Sequence, residues 1–264
     1  MIDLHTHVLP GIDDGPRTSA GSEELARSAA ADGVTVLAAT PHLRADHPGV
    51  VPAELGARCE RLRGELHAAG IPVEVVPGGE VDIHWAQAAS DRELRLASYG
   101  QRGAWLLVET PYGEIGDLFE ELLFKLNARG FRTLLAHPER NPTFQREPER
   151  VCAFVERGNL MQVTALALAH APRRTPERRL AEWLVRSSLA HVLASDAHRA
   201  GGRRGIGLTE AAGEADRLVP GAGRYLTEEA PAAILAGDEP GRPPTAPRTS
   251  AATRLFERLA RRRP

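Results

Sequence analysis

The chain has 264 residues, 42% of them hydrophobic and 26% charged, which is ordinary for a globular protein with a full core. Its formal net charge of −2 excludes the strongly positive overall field that would attract nucleic acid, so no nucleic-acid partner is expected. The N-terminus has no basic stretch or apolar signal core, and no run approaches about 18 consecutive apolar residues, so we expect a cytoplasmic protein without a membrane span.

Short apolar runs alternate along the chain with longer segments of helical periodicity. In chain order, the predicted strands are Ile2–Leu4, Val34–Ala39, Val73–Pro77, Ala104–Val108, Thr133–Ala136, Leu160–Val163 and His191–Ala194. The predicted helices are Ser22–Ala31, Pro52–Ala69, Ile115–Ala128, Glu147–Arg157, Pro176–Ser187, Leu208–Arg217 and Glu228–Ala236. Ser22 before two glutamates suits a helix start, and glycines at 33, 70, 130 and 158 suit left-handed caps at helix ends.

Repeated strand–helix units predict an α/β fold with parallel strands and right-handed crossovers. Seven strands favour a closed or nearly closed barrel, which we assign to one domain over residues 1–237. Residues 238–264 are rich in proline and arginine and predict a flexible linker with a short, partly helical basic tail. This segment carries a local charge of +4, so the remainder of a chain of net charge −2 carries −6.

The two cysteines, Cys59 and Cys152, lie within helical patterns and form no Cys-x-x-Cys pair, so a disulfide framework is not expected. A cysteine phosphatase would need an arginine six residues after its nucleophile. Glu65 and Gly158 occupy those positions, which argues against that chemistry.

Side chains that can bind metal follow six of the seven predicted strands. They are Asp3, His5 and His7 on the first, His42 after the second, Glu80 after the third, Glu109 at the end of the fourth, His137 after the fifth, and Asp196 and His198 after the seventh. A single histidine at a strand end is more often an ordinary hydrogen-bonded residue, but two pairs at strand spacing are harder to explain in that way. In a β/α barrel, catalytic groups lie at the carboxyl ends of the strands. The mixture of imidazole and carboxylate without thiolate favours Mn, Fe, Co or Zn.

These residues lie within runs that resemble the polymerase-and-histidinol-phosphatase superfamily of metal-dependent phosphoesterases. Within it, the sequence is most similar to the bacterial manganese-dependent protein-tyrosine phosphatases of capsular and exopolysaccharide systems. The runs are Met-Ile-Asp-Leu-His-Thr-His at 1–7, Asp-Asp-Gly-Pro at 13–16, Thr-Pro-His at 40–42, Gly-Glu at 79–80, Glu-Thr-Pro-Tyr at 109–112, Ala-His-Pro-Glu-Arg at 136–140, Gln-Val at 162–163 and Ser-Asp-Ala-His at 195–198.

The resemblance implies a distorted seven-stranded (β/α)7 TIM-like barrel with a metal site at the carboxyl ends of the strands. It implies three divalent metal ions, with manganese favoured, which are bound as follows. His5, His7, Glu80 and Asp196 bind the first; Glu80, Glu109 and His137 the second; Asp14, His42 and His198 the third. Asp3 orients a ligand histidine, and Arg140 and Arg203 clasp the phosphate, although Arg204 stands beside Arg203 and competes for that role.

The implied substrate is a phosphotyrosine protein, namely the tail of a bacterial tyrosine kinase that regulates polysaccharide export, and homo-oligomers are possible in this family. Two other functions stay open from the sequence. One is a small-molecule phosphatase acting on an ester such as histidinol phosphate, because substrate choice depends on loops. The other is a non-catalytic module that contacts a membrane or an acidic partner through the basic tail.

Overall fold

The computed structural model describes residues 1–245, and at Arg203 it describes the main chain only. Nine parallel strands form β1 (Ile2–Thr6), β2 (Val36–Ala39), β3 (His42–Leu43), β4 (Glu74–Pro77), β5 (Glu80–Val81), β6 (Trp105–Glu109), β7 (Arg132–Ala136), β8 (Leu160–Thr164) and β9 (Val192–Ala194). Their order is β1-β2-β4 in one sheet and β3-β5-β6-β7-β8-β9 in the other. The predicted α/β fold with parallel strands is therefore confirmed.

The α-helices are α1 (Ser19–Ala31), α2 (Pro52–Ala68), α3 (Ile83–Ala88), α4 (Asp91–Ala97), α5 (Asp117–Ala128), α6 (Pro142–Arg146), α7 (Arg150–Glu156), α8 (Ala165–Ala169), α9 (Pro176–Arg186), α10 (Leu208–Leu218), α11 (Ala222–Arg224) and α12 (Ala230–Ala236). A π-helical turn, Tyr225–Glu229, precedes α12. Within residues 1–245, no helix is long and apolar enough to cross a membrane.

All seven predicted strands and all seven predicted helices have counterparts, but one helix start was wrong, and five short helices (α3, α4, α6, α8 and α11) and two strand segments were not predicted. The first helix begins at Ser19, where the Thr18 hydroxyl accepts a hydrogen bond from the Gly21 amide, so Ser22 lies buried inside the helix rather than at its start. Two strand segments were missed, namely β3 and β5. They are separated from β2 and β4 by Thr40-Pro41 and by Gly78-Gly79, and Pro41 has no N–H group with which to continue a ladder.

Two apolar layers surround the strands. Along β6, Leu106 and Val108 pack towards the helices, whereas Trp105 and Leu107 belong to a second cluster with Leu4, Leu134 and Val192 from other strands. Both layers are almost inaccessible to solvent. This packing fixes the carboxyl ends of the strands relative to one another, and those ends carry the polar residues described next.

Candidate metal centre

The first and last strands bring two pairs of polar residues together. Thr6 and Ala197 form a parallel bridge, and the Asp196 amide donates a hydrogen bond to the His5 carbonyl oxygen at 2.8 Å. As a result, Oδ1 of Asp196 lies 3.4 Å from Nε2 of His5 and 3.3 Å from Nε2 of His7. The period-2 spacing of the strand gives His5 and His7 the common direction that the sequence predicted.

Glu80 on β5 stands at the middle of the group and is fully buried. Its Oε2 atom lies 3.2 Å from Nε2 of His5, 3.5 Å from Nε2 of His7 and 3.0 Å from Nδ1 of His42. Its Oε1 atom lies 2.9 Å from Nε2 of His137. One carboxylate therefore contacts four histidines from three different strand ends.

A further group lies nearer the surface around Asp14, whose side chain is 40% exposed. Its Oδ1 atom is 3.0 Å from Nε2 of His198, 3.6 Å from Nε2 of His42 and 3.9 Å from Nδ1 of His7. The loop that carries Asp14 approaches β1 closely, because a Cβ atom at Gly15 would lie 2.1 Å from the His7 carbonyl oxygen. Glycine at this position is what lets the Asp13-Asp14 segment reach the histidines.

All nine predicted ligand residues fall into groups whose donor atoms lie within 4.8 Å of one another. The groups are His7, Asp14, His42 and His198; His5, His7 and Asp196; His5, Glu80 and His137; and His42, Glu80 and Glu109. His5, His7, His42 and Glu80 each belong to two of them. The family resemblance had placed each of these three histidines in a single group.

The contacts within the centre have the character of a ligand shell rather than of a hydrogen-bond network. Nε2 of His5, Nε2 of His7, Nδ1 of His42 and Oε2 of Glu80 are buried without a hydrogen-bond partner. Each of the three nitrogens nevertheless lies 3.0–3.5 Å from Oε2 of Glu80. These distances are short, but the directions do not match a hydrogen-bond donor to an acceptor. Ligands bound about 2.1 Å from one cation in tetrahedral or octahedral geometry are separated by roughly 3.0–3.4 Å. The donor set and its spacing therefore fit divalent metal.

The charges of these groups depend on one another. Burial by itself would raise the pKa of Glu80, but the neighbouring imidazoles of His5, His137 and His42 hold that pKa well below its usual range. The pKa of Glu109 is raised, first by burial and then by the negative charge of Glu80. Several buried carboxylates at one point require positive charge beside them, and a divalent cation supplies it.

Two of the nine residues have strained backbones. His137 has φ of 37° and Asp196 has φ of 53°, a left-handed conformation that non-glycine residues rarely adopt. His137 directly follows β7, and Asp196 lies two residues after the end of β9. The turn at each residue directs its side chain into the centre. Strain of this kind concentrates at functional sites.

Two side chains that were not predicted from the sequence orient the histidine rings. Oδ2 of Asp13 lies 2.7 Å from Nδ1 of His7, and Oε1 of Gln162 accepts a hydrogen bond from Nδ1 of His5 at 2.9 Å. Such partners fix which ring nitrogen faces the metal. Both residues lie in motifs noted in the sequence. However, no local pattern shows whether Asp13 or Asp14 contacts His7, or towards which residue the Gln162 side chain points.

Asp3 is buried beside the centre, and burial raises its pKa to about 6. Its Oδ1 atom accepts hydrogen bonds from the amides of His5, at 3.3 Å, and Ser195, at 3.0 Å. Asp3 thus holds the main chain of β1 next to that of the last strand. The family resemblance implied that Asp3 orients a ligand histidine. In the structure, Gln162 contacts the ring of His5, whereas Asp3 contacts main-chain amides.

Arginines surround the opening of the centre. Arg140 donates a hydrogen bond to Oδ2 of Asp196 at 2.6 Å, and Arg204 donates one to Oδ2 of Asp14 at 2.9 Å. Arg44, which the sequence analysis did not select, donates to Oε1 of Glu109 at 3.1 Å. The side chain of Arg203 lies outside the part of the chain that the structure describes.

Comparison with known proteins agrees with this geometry. Residues 1–217 match the family described as Capsular polysaccharide synthesis, CpsB/CapC. The tyrosine-protein phosphatase YwqE of Bacillus subtilis (strain 168) is 33% identical over 198 residues, which cover 75% of this chain and 77% of that protein. The tyrosine-protein phosphatase CpsB of Streptococcus pneumoniae is 22% identical over 207 residues, or 75% of this chain and 83% of that protein.

A solved structure also superposes on nearly the whole chain. It comes from work on YwqE from Bacillus subtilis and CpsB from Streptococcus pneumoniae, described as unique metal-dependent tyrosine phosphatases. The TM-score is 0.81 with 31% sequence identity, covering 94% of this chain and all of the other. The resemblance seen in the motifs is confirmed, and the chain belongs to the CpsB/CapC family of capsular polysaccharide synthesis.

Proposed function

We propose that this protein is a metal-dependent protein-tyrosine phosphatase of capsular or exopolysaccharide synthesis. The family match and the relatives named as tyrosine-protein phosphatases support this function. The observation that carries it is the convergence of nine His, Asp and Glu side chains, with unpaired donor atoms, at the carboxyl ends of parallel strands. A hydrolytic phosphatase of this kind needs no cysteine nucleophile, and Cys59 is buried away from the centre.

We further propose that the nine residues hold three divalent cations, with manganese favoured and iron, cobalt or zinc compatible. His5, His7, Glu80 and Asp196 form the first site, Glu80, Glu109 and His137 the second, and Asp14, His42 and His198 the third. The mixed imidazole and carboxylate donors support this choice of metals. What bound cations supply at such a site is Lewis acidity towards a phosphate ester and a water molecule.

The residues of the chain supply orientation and charge. Gln162 and Asp13 hold the rings of His5 and His7, so the nitrogens that face the centre stay free of protons. Arg140, together with Arg203 or Arg204, is proposed to bind the phosphate, because a planar guanidinium can donate to two oxygens at once. Since a phenol has a pKa near 10, a tyrosine leaving group needs less help from a general acid than an alkyl alcohol does.

The proposed substrate is a phosphotyrosine protein, namely the tail of a bacterial tyrosine kinase. The proposed location is the cytoplasm, a reducing compartment that suits the two free cysteines. Residues 1–237 are proposed as the catalytic domain and 238–264 as an appended basic segment that could also contact a membrane surface. Assembly into homo-oligomers belongs to the same proposal. Measuring activity and vesicle binding after removal of residues 241–264 separates catalysis from any role of that segment.

The strand segments are proposed to form one distorted seven-stranded barrel. The amides of Thr40 and Glu80 donate hydrogen bonds to the carbonyl oxygens of Thr6, at 2.8 Å, and Pro41, at 3.0 Å, which continue the strand pairing through the points where β2 and β4 are interrupted. The Thr6–Ala197 bridge joins the first strand to the end of the last. These links support treating β2 with β3, and β4 with β5, as two bent strands.

The proposed activity is tested with purified protein, a phosphotyrosine peptide and histidinol phosphate. We expect turnover of the peptide far above that of histidinol phosphate, with loss of activity after chelation and recovery with added Mn²⁺. His137→Ala should remove a ligand of the second site, lower the metal content and reduce turnover at least about 100-fold while the circular dichroism spectrum is unchanged. His67→Ala, an exposed histidine on α2, is the matched control and should behave as wild type. Full activity of His137→Ala would refute its role.

A further inference from the structure

Tyr112 is an exposed aromatic residue at the edge of the metal centre. It follows β6 by three residues, and 60% of its surface is open to solvent. Its ring lies 5.8 Å from the ring of His137, at an interplanar angle of 25°. The side chain therefore contacts a predicted metal ligand while much of its surface stays open.

The loop that carries Tyr112 is fixed to the segment that carries Arg140. The side-chain amide of Asn141, the residue after Arg140, donates hydrogen bonds to the carbonyl oxygens of Pro111, at 2.7 Å, and Gly113, at 2.9 Å. These carbonyls flank Tyr112 on both sides, and Asn141 is completely buried. The position of the tyrosine is consequently tied to the position of the arginine that is proposed to bind phosphate.

We propose that the ring of Tyr112 is the platform against which the aromatic ring of the substrate packs when its phosphate is held at Arg140. This inference rests on the proposed tyrosine phosphatase function and deepens it, since it makes Tyr112 a specificity-determining residue for aryl phosphates. Aromatic rings pair favourably at centroid separations of about 4.5–7 Å, beyond their burial of area. The gain corresponds to about a 3- to 10-fold preference for an aryl over an alkyl group.

The test compares Tyr112→Ala, Tyr112→Phe and the control Phe124→Ala in the metal-loaded full-length protein. Phe124 lies on α5 and is 71% exposed, so its removal also deletes an exposed aromatic ring. Calorimetry measures the affinity of two non-hydrolysable probes, benzylphosphonate and methylphosphonate, and steady-state kinetics measures kcat and KM for a phosphotyrosine peptide. The probes share the phosphonate group and differ in the ring.

Tyr112→Ala is expected to weaken benzylphosphonate about 3- to 10-fold, leave methylphosphonate unchanged, and raise KM more than it lowers kcat. Tyr112→Phe should retain the wild-type preference, because the ring rather than the hydroxyl makes the contact. Equal weakening of both probes, no change in either, or a Phe variant that behaves like Ala would each overturn the inference. Failure of the wild-type protein to hydrolyse the peptide would instead overturn the proposed function.

Discussion

At the scale of single residues, the centre depends on side chains that hold the ligands as much as on the ligands. Asp13 shows this most clearly, because its Oδ2 atom contacts Nδ1 of His7 and also accepts a hydrogen bond from the His42 amide at 3.2 Å. Its pKa is lowered by His7 despite the opposing effect of burial. Asp13 therefore stays ionised and orients two predicted ligand residues at once.

We predict that Asp13→Asn lowers metal affinity or activity by about 10- to 100-fold, since an amide does not support the same ring orientation and charge. The fold should survive, because an amide oxygen can still accept the hydrogen bond from the Gly15 amide. Metal-binding calorimetry and kcat/KM measure the effect. Asp91→Asn is the control, as this carboxylate is 75% exposed and pairs with Arg129. Unchanged metal affinity in Asp13→Asn would contradict the assigned role.

At the scale of secondary-structure elements, the junction of β8 and β9 contains a buried histidine that is separate from the metal centre. His191 precedes β9 and is 6% exposed, and its Nδ1 atom accepts a hydrogen bond from the Met161 amide at 3.2 Å. Burial lowers its pKa to about 4, from an ordinary value of 6.5. The folded state thus binds a proton at this residue less readily than the unfolded state does.

This difference predicts a loss of stability in mild acid. Between pH 6.5 and 4 the unfolded chain carries the extra proton, so stability falls as pH falls through this window. From pH 7 to pH 5 the contribution of His191 is about 2 kcal/mol. Urea unfolding at both pH values should therefore show a smaller loss for His191→Gln than for wild type, with His67→Gln as the exposed control. Equal losses in His191→Gln and wild type would show that His191 does not cause the acid sensitivity.

At the scale of the whole molecule, the segment after α12 is bound to the end of the sheets opposite the metal centre. The carbonyl oxygen of Asp238 accepts a hydrogen bond from Nε1 of Trp105 at 2.8 Å, that of Gly241 from the Tyr225 hydroxyl at 2.6 Å, and that of Pro244 from the Ser188 hydroxyl at 2.7 Å. Trp105 and Ser188 stand at or before the start of β6 and β9. The first part of the predicted linker is thus tied to the body, while the rest of the predicted segment 238–264, from residue 246 on, lies outside the described residues.

Two truncations measure the contribution of this segment. A chain ending at residue 245 keeps the three hydrogen bonds, whereas a chain ending at residue 237 loses them and exposes part of Trp105. We expect the shorter chain to melt about 5–10 °C below the longer one, since each lost hydrogen bond destabilises by about 1 kcal/mol. Calorimetric Tm values of the two proteins measure the difference. Identical values would show that residues 238–245 add nothing to stability.

The sequence by itself determined the succession of the main strands and helices, the helix-ending glycines and eight of the nine residues that meet at the centre, all but Asp14, which the family resemblance supplied. These follow from local rules, because period-2 and period-3.6 patterns act over a few residues, and parallel strands bring their carboxyl ends to one edge. His5 and His7 share a direction for that reason alone. The family resemblance then supplied the number of metals and their grouping.

Only the tertiary structure decided how these residues contact one another. The sharing of His7 and His42 between groups, the choice of Asp13 over Asp14 as partner of His7, and the contact of Gln162 with His5 join segments up to 157 residues apart. The left-handed turns at His137 and Asp196 likewise depend on distant packing. No local pattern encodes a ring orientation or a strained φ, because both are imposed by neighbours that only the folded chain brings together.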